Sequence, residues 1–450
     1  MKKKIAIVGL GESGVGAAIL AQKQGFDVWA TDNGPVKSKY KQMLDAHGIA
    51  WEENGHTVEQ IFSADEIVRS PGIPQTVPLI CEARAKGISI ISEIELAARY
   101  TDAKLIAVTG SNGKTTTTIL IHHLLIQAGV NAAVAGNIGK SLALLVAEDP
   151  HDVYVIELSS FQLEDMYDFH ADIALLLNIT PDHLNRYHND INEYAQAKFR
   201  INRNQGPKDA FIYWKEDALT REELSLHPIL ATTYAFSLIP QEGVQAYLKE
   251  DKFCVRLGKE DFEMPRVDFH LPGNHNVLNA LVAILATRLF GLSYADIRIG
   301  LLNFDAVEHR MEKVCTFKGC LYVNDSKATN LDACRYALEG TPAPVVLILG
   351  GVDKGNDYKD ILPLVKEKVV AMVYLGIDNH KLHASFDNEI KYTAEASSMM
   401  EAIDLASHWP IPQGSTILLS PCCASFDLFN SYEDRGEQFK ECVQRLKEKE

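Results

Sequence analysis

Apolar residues in this chain gather in short runs that end in glycine. Ile5 to Gly11, Ile106 to Gly113 and Val345 to Gly355 each read as a β-strand, a tight turn and a helix opening. Three such openings, spread along the chain, predict three α/β domains rather than one large sheet. The predicted boundaries are 1–93, 94–303 and 304–450: a Rossmann-like domain, a P-loop ATPase-like domain and a second Rossmann-like domain. A prior of about 150 residues per domain gives the same count. Within the first domain, DVWATD is a second strand, IVRSPGIP a third strand with a turn, and Ile88 to Ile91 a final one. Glu93 to Tyr100 leads into the central domain. Residues 210–262 alternate as short strands with polar turns, and LPGNHNVLNALVAILATRL becomes a strongly apolar helix. No repeat or low-complexity segment interrupts the pattern.

Composition narrows the class. The chain is 46% hydrophobic and 23% charged, as soluble globular proteins are. A net charge of −16 argues against a nucleic-acid partner, so an anionic substrate must be met by local cations and helix ends. Eight cysteines without CxxC or zinc spacing read as reduced thiols of a cytoplasmic protein. Lys2 to Lys4 precede an apolar run too short for a signal peptide, and no run is long enough to span a membrane.

The chemistry concentrates at the ends of the predicted strands. GSNGKTTTT places Gly110, Ser111, Asn112, Gly113, Lys114, Thr115 and Thr116 between a strand and an apolar helix. Glycines let backbone N–H groups converge on a phosphate, the helix start adds partial positive charge, Lys114 adds a full one, and Thr115 offers a hydroxyl to Mg²⁺. Val108 stands where the full P-loop pattern has glycine, and a glycine turn capping an ordinary helix is the plainer alternative. Gly9, Gly11 and Gly14 have GxGxxG spacing, with Asp32 at the end of the next strand. That is a dinucleotide fingerprint, although any nucleotide diphosphate satisfies its physics. Ser70 and Gly72 lie in a turn that either reaches the same ligand or only reverses the chain.

Glu157 ends the strand VYVIE, where an NTPase holds its metal, or else it is an N-cap acid. His183 follows another apolar strand at the same predicted sheet edge, but Mg²⁺ prefers oxygen. Lys198, in EYAQAKFRIN, reads by pattern as a solvated helix lysine. Asn276 and Asn279 share one face of a first helical turn, placed either to bond a purine edge or to cap the helix. In the third domain His309, Arg310, Asp325, Lys327, Thr329, Lys354, Ser425 and Tyr432 all follow predicted strands, which points to one ligand edge.

Taken together, GSNGKTTT, ELSSFQLE, LNITPDHLNRY, GNHNVLNALVA, HRME, NDSKATN, GGVDKG and LSPCCASFD resemble, in order and spacing, the Mur ligases of bacterial peptidoglycan synthesis. The resemblance runs nearly end to end, and NDSKATN and LSPCCAS favour the branch that adds D-glutamate. It implies an ATP-dependent amide-forming ligase acting on UDP-N-acetylmuramoyl-L-alanine and D-glutamate, monomeric, with Mg²⁺ (two ions). It implies that Gly11, Ser13 and Gly14 meet the UDP diphosphate, that Asp32, Asn33, Ser70 and Gly72 lie near the uridine, and that Asn137 meets the muramoyl part. Family members often carry Asp-Thr-Arg where this chain has Asp32-Asn33-Gly34. The resemblance makes Glu157 and His183 metal ligands and Lys198 a lysine that becomes carbamylated and helps hold a second Mg²⁺. It assigns Asn276 and Asn279 to the adenine, Arg310 and Asp325 to the nucleotide, and Lys327, Thr329, Lys354, Ser425 and Tyr432 to D-glutamate. Tyr432 replaces a common phenylalanine, and Cys422 a common alanine. Sites spread over three domains imply closure on substrate binding.

Three rivals remain at this point. One is another ATP-dependent amino-acid ligase, a sister Mur enzyme or a folylpolyglutamate synthetase. Another is an NAD-dependent dehydrogenase built on Gly9 to Asp32, which leaves the Lys114 loop unexplained. The third is a nucleotide-binding switch without synthetic chemistry.

Overall fold

The runs that end in glycine form the central strands of three sheets. The computed structural model describes residues 2–182, 184–258, 260–304 and 308–448. His183, expected as a metal ligand, therefore lies outside the described residues. The first sheet holds β1 (Lys4–Val8), β2 (Asp27–Thr31), β3 (Ala50–Glu52), β4 (Glu66–Arg69) and β5 (Ser89–Ile91). Its order is β3-β2-β1-β4-β5 and every pairing is parallel. Such a sheet binds ligands where the order reverses, outside the carboxyl end of β1.

The second sheet is built from β6 (Lys104–Thr109), β7 (Ala132–Gly136), β8 (Val153–Glu157), β9 (Ile173–Leu176), β10 (Ala210–Trp214), β11 (Thr232–Ser237), β12 (Ala246–Lys249), β13 (Lys252–Leu257) and β14 (Glu260–Pro265). Its order is β14-β13-β12-β11-β10-β9-β6-β8-β7, parallel except for the hairpins at β12/β13 and β13/β14. The glycine loop 110–113 follows β6, which pairs with β8 and β9, so Glu157 and Asn178 emerge on either side of it. The third sheet contains β15 (Glu312–Phe317), β16 (Cys320–Asn324), β17 (Val345–Leu349), β18 (Val369–Leu375), β19 (Tyr392–Ala396) and β20 (Thr416–Leu419). Its order is β15-β16-β20-β17-β18-β19, and only β15 runs antiparallel.

The chain divides into two compact units, Met1–Phe269 with Val277–Phe304, and His270–Asn276 with Asp305–Glu450. The first two sheets share a unit because one apolar core runs through both, from Ile5 and Leu20 to Leu105, Tyr154 and Phe211. The helix Glu12–Lys23 packs on the helix Leu142–Glu148, and a Cβ on Gly16 would meet Ser141 Oγ at 2.0 Å, so only glycine permits the approach. Glu93 is buried in this seam and accepts hydrogen bonds from Ser141 Oγ and Ala143 N, both at 2.6 Å. Burial pushes its pKa up to about 7 against those hydrogen bonds. Arg69, at the end of β4, is buried against Asp165 at 2.6 Å. Removing one partner of such a pair typically costs about 3–5 kcal/mol. The third sheet carries an apolar layer on each face, one around Leu347, Tyr358 and Phe386, the other around Ile348, Ile403 and Phe439. No described helix is long and apolar enough to cross a membrane.

Candidate active site

The first cluster forms at the glycine turn after β1. The helix Glu12–Lys23 starts behind Gly11, which has no atom of the chain near its Cβ position, so its backbone is open to a ligand. Gly14 differs: a Cβ there would lie 1.8 Å from Gly9 O, so it packs helix to turn and does not line the cavity. Gly11, Ser13, Asp32, Asn33, Ser70 and Gly72 do line one cavity of about 630 Å³. Asp32 accepts from Leu10 N at 2.7 Å and Gly34 N at 2.8 Å, which fixes the turn. Ser70 Oγ donates to Gly9 O at 2.9 Å, so this turn is joined to the glycine turn.

The second cluster surrounds the loop after β6. Gly110 has φ +152° and Gly113 φ +87°, conformations that favour glycine. Asn178 clamps the loop: its carbonyl accepts from Ser111 N at 2.9 Å, its side-chain oxygen accepts from Asn112 N at 2.8 Å, and its amide donates to Asn112 O at 3.0 Å. Ser111 Oγ donates to Thr180 O at 2.8 Å. The helix Lys114–Gln127 begins directly after Gly113, with Thr115 and Thr116 buried in its first turn. Lys114 Nζ donates to Gly110 O at 2.8 Å and Ser111 O at 2.9 Å.

Glu157 is 1% exposed and receives two donors, Thr115 Oγ1 and Asn137 Nδ2, each at 2.8 Å. Asn137 thus joins the cluster around the 110–113 loop and is not among the residues lining the cavity beside Gly11. A carboxylate, a threonine hydroxyl and an amide oxygen are hard oxygen donors, so the residues present fit Mg²⁺. Lys198 reverses its pattern-based reading as a solvated lysine. It is 1% exposed, donates to Gly110 O at 2.9 Å, and stands 4.4 Å over the Tyr194 ring. Burial pushes its pKa well below the usual lysine value, and the Lys114 charge adds to this, opposed by Asp182 and Glu157. Asn279 is buried, and its Oδ1 accepts from Thr117 Oγ1 at 3.2 Å and lies against Gly113. Asn276, three residues earlier on the helix Asn274–Phe290, donates to Pro272 O at 2.7 Å.

The third cluster belongs to the second unit. Asp325 is fully enclosed after β16, accepting from Ser420 Oγ at 3.0 Å and Met311 N at 3.2 Å. Burial raises its pKa to about 6, although the Arg310 charge pulls the other way. Lys327 Nζ stands 4.8 Å over the Tyr432 ring, and that ring meets His309 edge to face at 6.3 Å. The tyrosine thus keeps an aromatic wall beside a lysine. Thr329 follows on the same loop, its N donating to Lys327 O at 2.9 Å. Lys354 is exposed on the glycine loop after β17, and Ser425 is buried after β20. Val352 and Ala424 join these loops through hydrogen bonds of 2.8 and 3.2 Å. A Cβ on Gly351 would strike Ala424 O at 2.3 Å, so the approach needs glycine.

Sequence reasoning gave three supporting residues no site role. Asn178 ends a strand in LNITPDH, and that position was its signal. Tyr194 is four residues before Lys198, so both share one helix face. Arg435 is 1% exposed and ties two loops together, bonding Ser326 O at 2.8 Å and Cys423 O at 3.3 Å. It sits in a charged helical run, which offered no such signal.

Comparison with known proteins covers the whole chain. Residues 3–92 match the Mur ligase MurD-like N-terminal domain, residues 108–287 the Mur ligase middle domain, and residues 309–423 the Mur ligase glutamate ligase domain. A UDP-N-acetylmuramoylalanine--D-glutamate ligase of Bacteroides fragilis is 55% identical over 444 residues, covering 99% of this chain and 100% of its own. The protein of that name from Porphyromonas gingivalis is 49% identical, with 99% of each chain covered. Among solved structures, UDP-N-acetylmuramate-alanine ligase MurC from Thermotoga maritima is 19% identical with a TM-score of 0.61, covering 99% of this chain and 100% of its own. MurF ligase from the same organism, solved with ADP, is 15% identical with a TM-score of 0.61, covering 100% and 98%. At these identities the two structures bear on fold alone.

Proposed function

The chain belongs to the Mur ligase family, and from that premise we propose that it joins D-glutamate to UDP-N-acetylmuramoyl-L-alanine, converting ATP to ADP and phosphate. The observation that carries the reading is the buried set of Thr115, Glu157 and Lys198, with half-buried Lys114, around one glycine loop. It suits the transfer of a phosphoryl group to a carboxylate. The names of the full-length relatives supply the acceptor.

A carboxylate is a poor electrophile, and phosphorylation gives it a leaving group. Lys114 and the loop N–H groups hold the triphosphate and oppose the charge that develops on the γ-phosphoryl oxygens. Thr115, Glu157 and carbamylated Lys198 would hold Mg²⁺, which supplies further neutralisation of the phosphate oxygens. The D-glutamate amine attacks the acyl phosphate, a tetrahedral intermediate forms, and phosphate leaves. In this reading His183 takes the amine proton. Gly11 and Ser13 face the UDP diphosphate while Gly14, expected there too, packs the helix against the turn instead, Asp32, Asn33, Ser70 and Gly72 face the uridine, and Asn137 the muramoyl part. Asn276 and Asn279 serve the adenine, and Arg310 and Asp325 the rest of the nucleotide. Lys327, Thr329, Lys354, Ser425 and Tyr432 take D-glutamate, the lysines through charge-assisted bonds to its carboxylates. The enzyme is read as cytoplasmic, because ATP and a UDP-linked precursor are cytoplasmic metabolites, and as a monomer.

The test is phosphate release from ATP and Mg²⁺ with UDP-N-acetylmuramoyl-L-alanine and D- or L-glutamate, followed by mass analysis of the UDP product. Release with the D-isomer alone and a matching mass gain supports the reading. Release with a different amino acid moves the chain to a sister ligase, and the absence of release with any acceptor refutes ligation.

A further inference from the structure

The cavity beside the first glycine turn holds an imidazole with no role in the reading above. His56 lines that cavity together with Gly11, Asp32, Asn33, Ser70 and Gly72. The segment carrying it is docked on the Asp32 turn, with Asn54 N donating to Gly34 O at 3.2 Å and Gly55 N to Asp32 O at 3.3 Å. Asn54 at φ +60° and Gly55 at φ +153° turn the chain back toward β2. His56 Nδ1 there lies 2.7 Å from Thr31 Oγ1, a fully buried hydroxyl.

The hydrogen-bond network fixes the tautomer. Thr31 Oγ1 also lies 2.9 Å from Glu52 Oε1 and 3.2 Å from Gly55 O. A hydroxyl has one hydrogen to give, and the other two groups accept only. Burial pushes the Glu52 pKa up, but hydrogen bonds from Thr57 and Thr31 outweigh it and hold the group below the usual carboxylate range. Glu52 also accepts from Thr57 N and Oγ1, both at 2.6 Å. It is a carboxylate, so it takes the Thr31 hydrogen. Nδ1 must then supply the hydrogen in the bond between Thr31 and His56. A neutral imidazole with its hydrogen on Nδ1 presents a bare lone pair at Nε2. Among the described residues that nitrogen has no hydrogen-bond partner.

We propose that His56 is the residue that reads the nucleobase of the UDP-linked substrate, its Nε2 accepting the N3–H of uracil. The inference rests on the proposed use of this cavity for the UDP group. Uracil carries a hydrogen at N3 where cytosine carries a lone pair, so one nitrogen favours the first and repels the second. Asn33 and Asp32 line the same cavity, but the Asn33 amide offers both a donor and an acceptor, and both oxygens of Asp32 already accept from the backbone, from Leu10 N and Gly34 N.

The test is calorimetric titration of the full chain with UDP and with CDP, for wild type, His56→Phe and His56→Gln. Phenylalanine keeps the ring and removes the acceptor, and glutamine keeps an acceptor oxygen. Wild type is expected to bind UDP at least about tenfold tighter than CDP, the scale of one unmatched polar contact. His56→Phe should bring the ratio close to one by weakening UDP, and His56→Gln should restore part of it. In turnover, His56→Phe should raise KM for the UDP-linked substrate, leaving kcat and the KM values for ATP and D-glutamate unchanged. A wild-type ratio near one, or equal weakening of both nucleotides in His56→Phe, overturns the inference. If the ratio is near one but the UDP-linked substrate turns over normally, His56 alone is misassigned. Absence of turnover with any UDP-linked substrate removes the functional reading, and this inference with it.

Discussion

Replacing Asp325 by asparagine should stabilise the second unit while damaging catalysis. Asp325 is fully enclosed, and burial raises its pKa from 3.8 to about 6. Because the folded carboxyl holds its proton to a higher pH than the unfolded one, folding takes up protons between those two values. Stability therefore falls as pH rises across that window and stays low above it. A shift of about 2 units at about 1.36 kcal/mol each puts the full cost near 3 kcal/mol above pH 6, falling to roughly half by about pH 5. Asparagine removes the charge and retains the contacts, since its oxygen can accept from Met311 N and its amide can donate to the Ser420 hydroxyl. The attraction of Arg310 is already contained in that raised pKa, so the gain at neutral pH is at most about 3 kcal/mol. Urea unfolding of both proteins at about pH 7.5 and about pH 5, followed through the second unit, measures this directly. The variant should be more stable at the higher pH, by a margin that shrinks on acidification, while ligase activity falls sharply. A variant less stable than wild type at pH 7.5, or a margin indifferent to pH, would refute the assignment of a strained carboxylate.

Other outcomes follow from single contacts. Gly14→Ala drives a Cβ to within 1.8 Å of Gly9 O, so thermal unfolding should show a loss of about 1–3 kcal/mol or more, with weakened UDP binding in titration. Lys354→Ala, at an exposed loop position, should leave the melting temperature nearly unchanged and raise KM for D-glutamate about tenfold or more, while an unchanged KM would remove Lys354 from that site. Lys198→Met should abolish activity at saturating substrates without lowering stability at neutral pH, since it replaces a buried amine. For wild type, mass analysis of the native protein should show a gain of one CO2 that disappears when bicarbonate is removed.

The parts of this molecule written in its sequence are those set by local rules. A β-strand that ends in glycine and opens a helix needs only its own residues, so all three turns were readable, and so was Glu157 at the end of β8. The joining of the first two sheets into one unit was not. It depends on Gly16 meeting Ser141 and on Glu93 bonding the helix at Ser141 and Ala143, contacts between segments far apart in sequence. Lys198 misled for a related reason. Polar residues of its short helix suggest a wet face, yet Tyr194 and Lys198 share a face and both are buried. Arg435 was hidden by its neighbours, since a buried arginine and a surface arginine look alike in a run of charges.

Lys114 and Lys198 together explain why the site needs an unusual lysine. Gly110 O accepts from both, at 2.8 and 2.9 Å. One carbonyl has lone pairs enough for two donors, but two ammonium groups this close repel strongly when water is excluded. Burial and the Lys114 charge resolve the conflict by pushing the Lys198 pKa well down. A neutral amine still donates to Gly110 O and keeps a lone pair, which is what addition to CO2 requires. The resulting carbamate would carry a negative charge beside the Lys114 cation, exchanging a repulsion for an attraction. It would also stand in the same cluster as Glu157, and two buried anions need a cation between or beside them. In the proposed reaction Lys114 would then do more than hold phosphate: its charge would add to burial in keeping its neighbour neutral, and so ready for CO2.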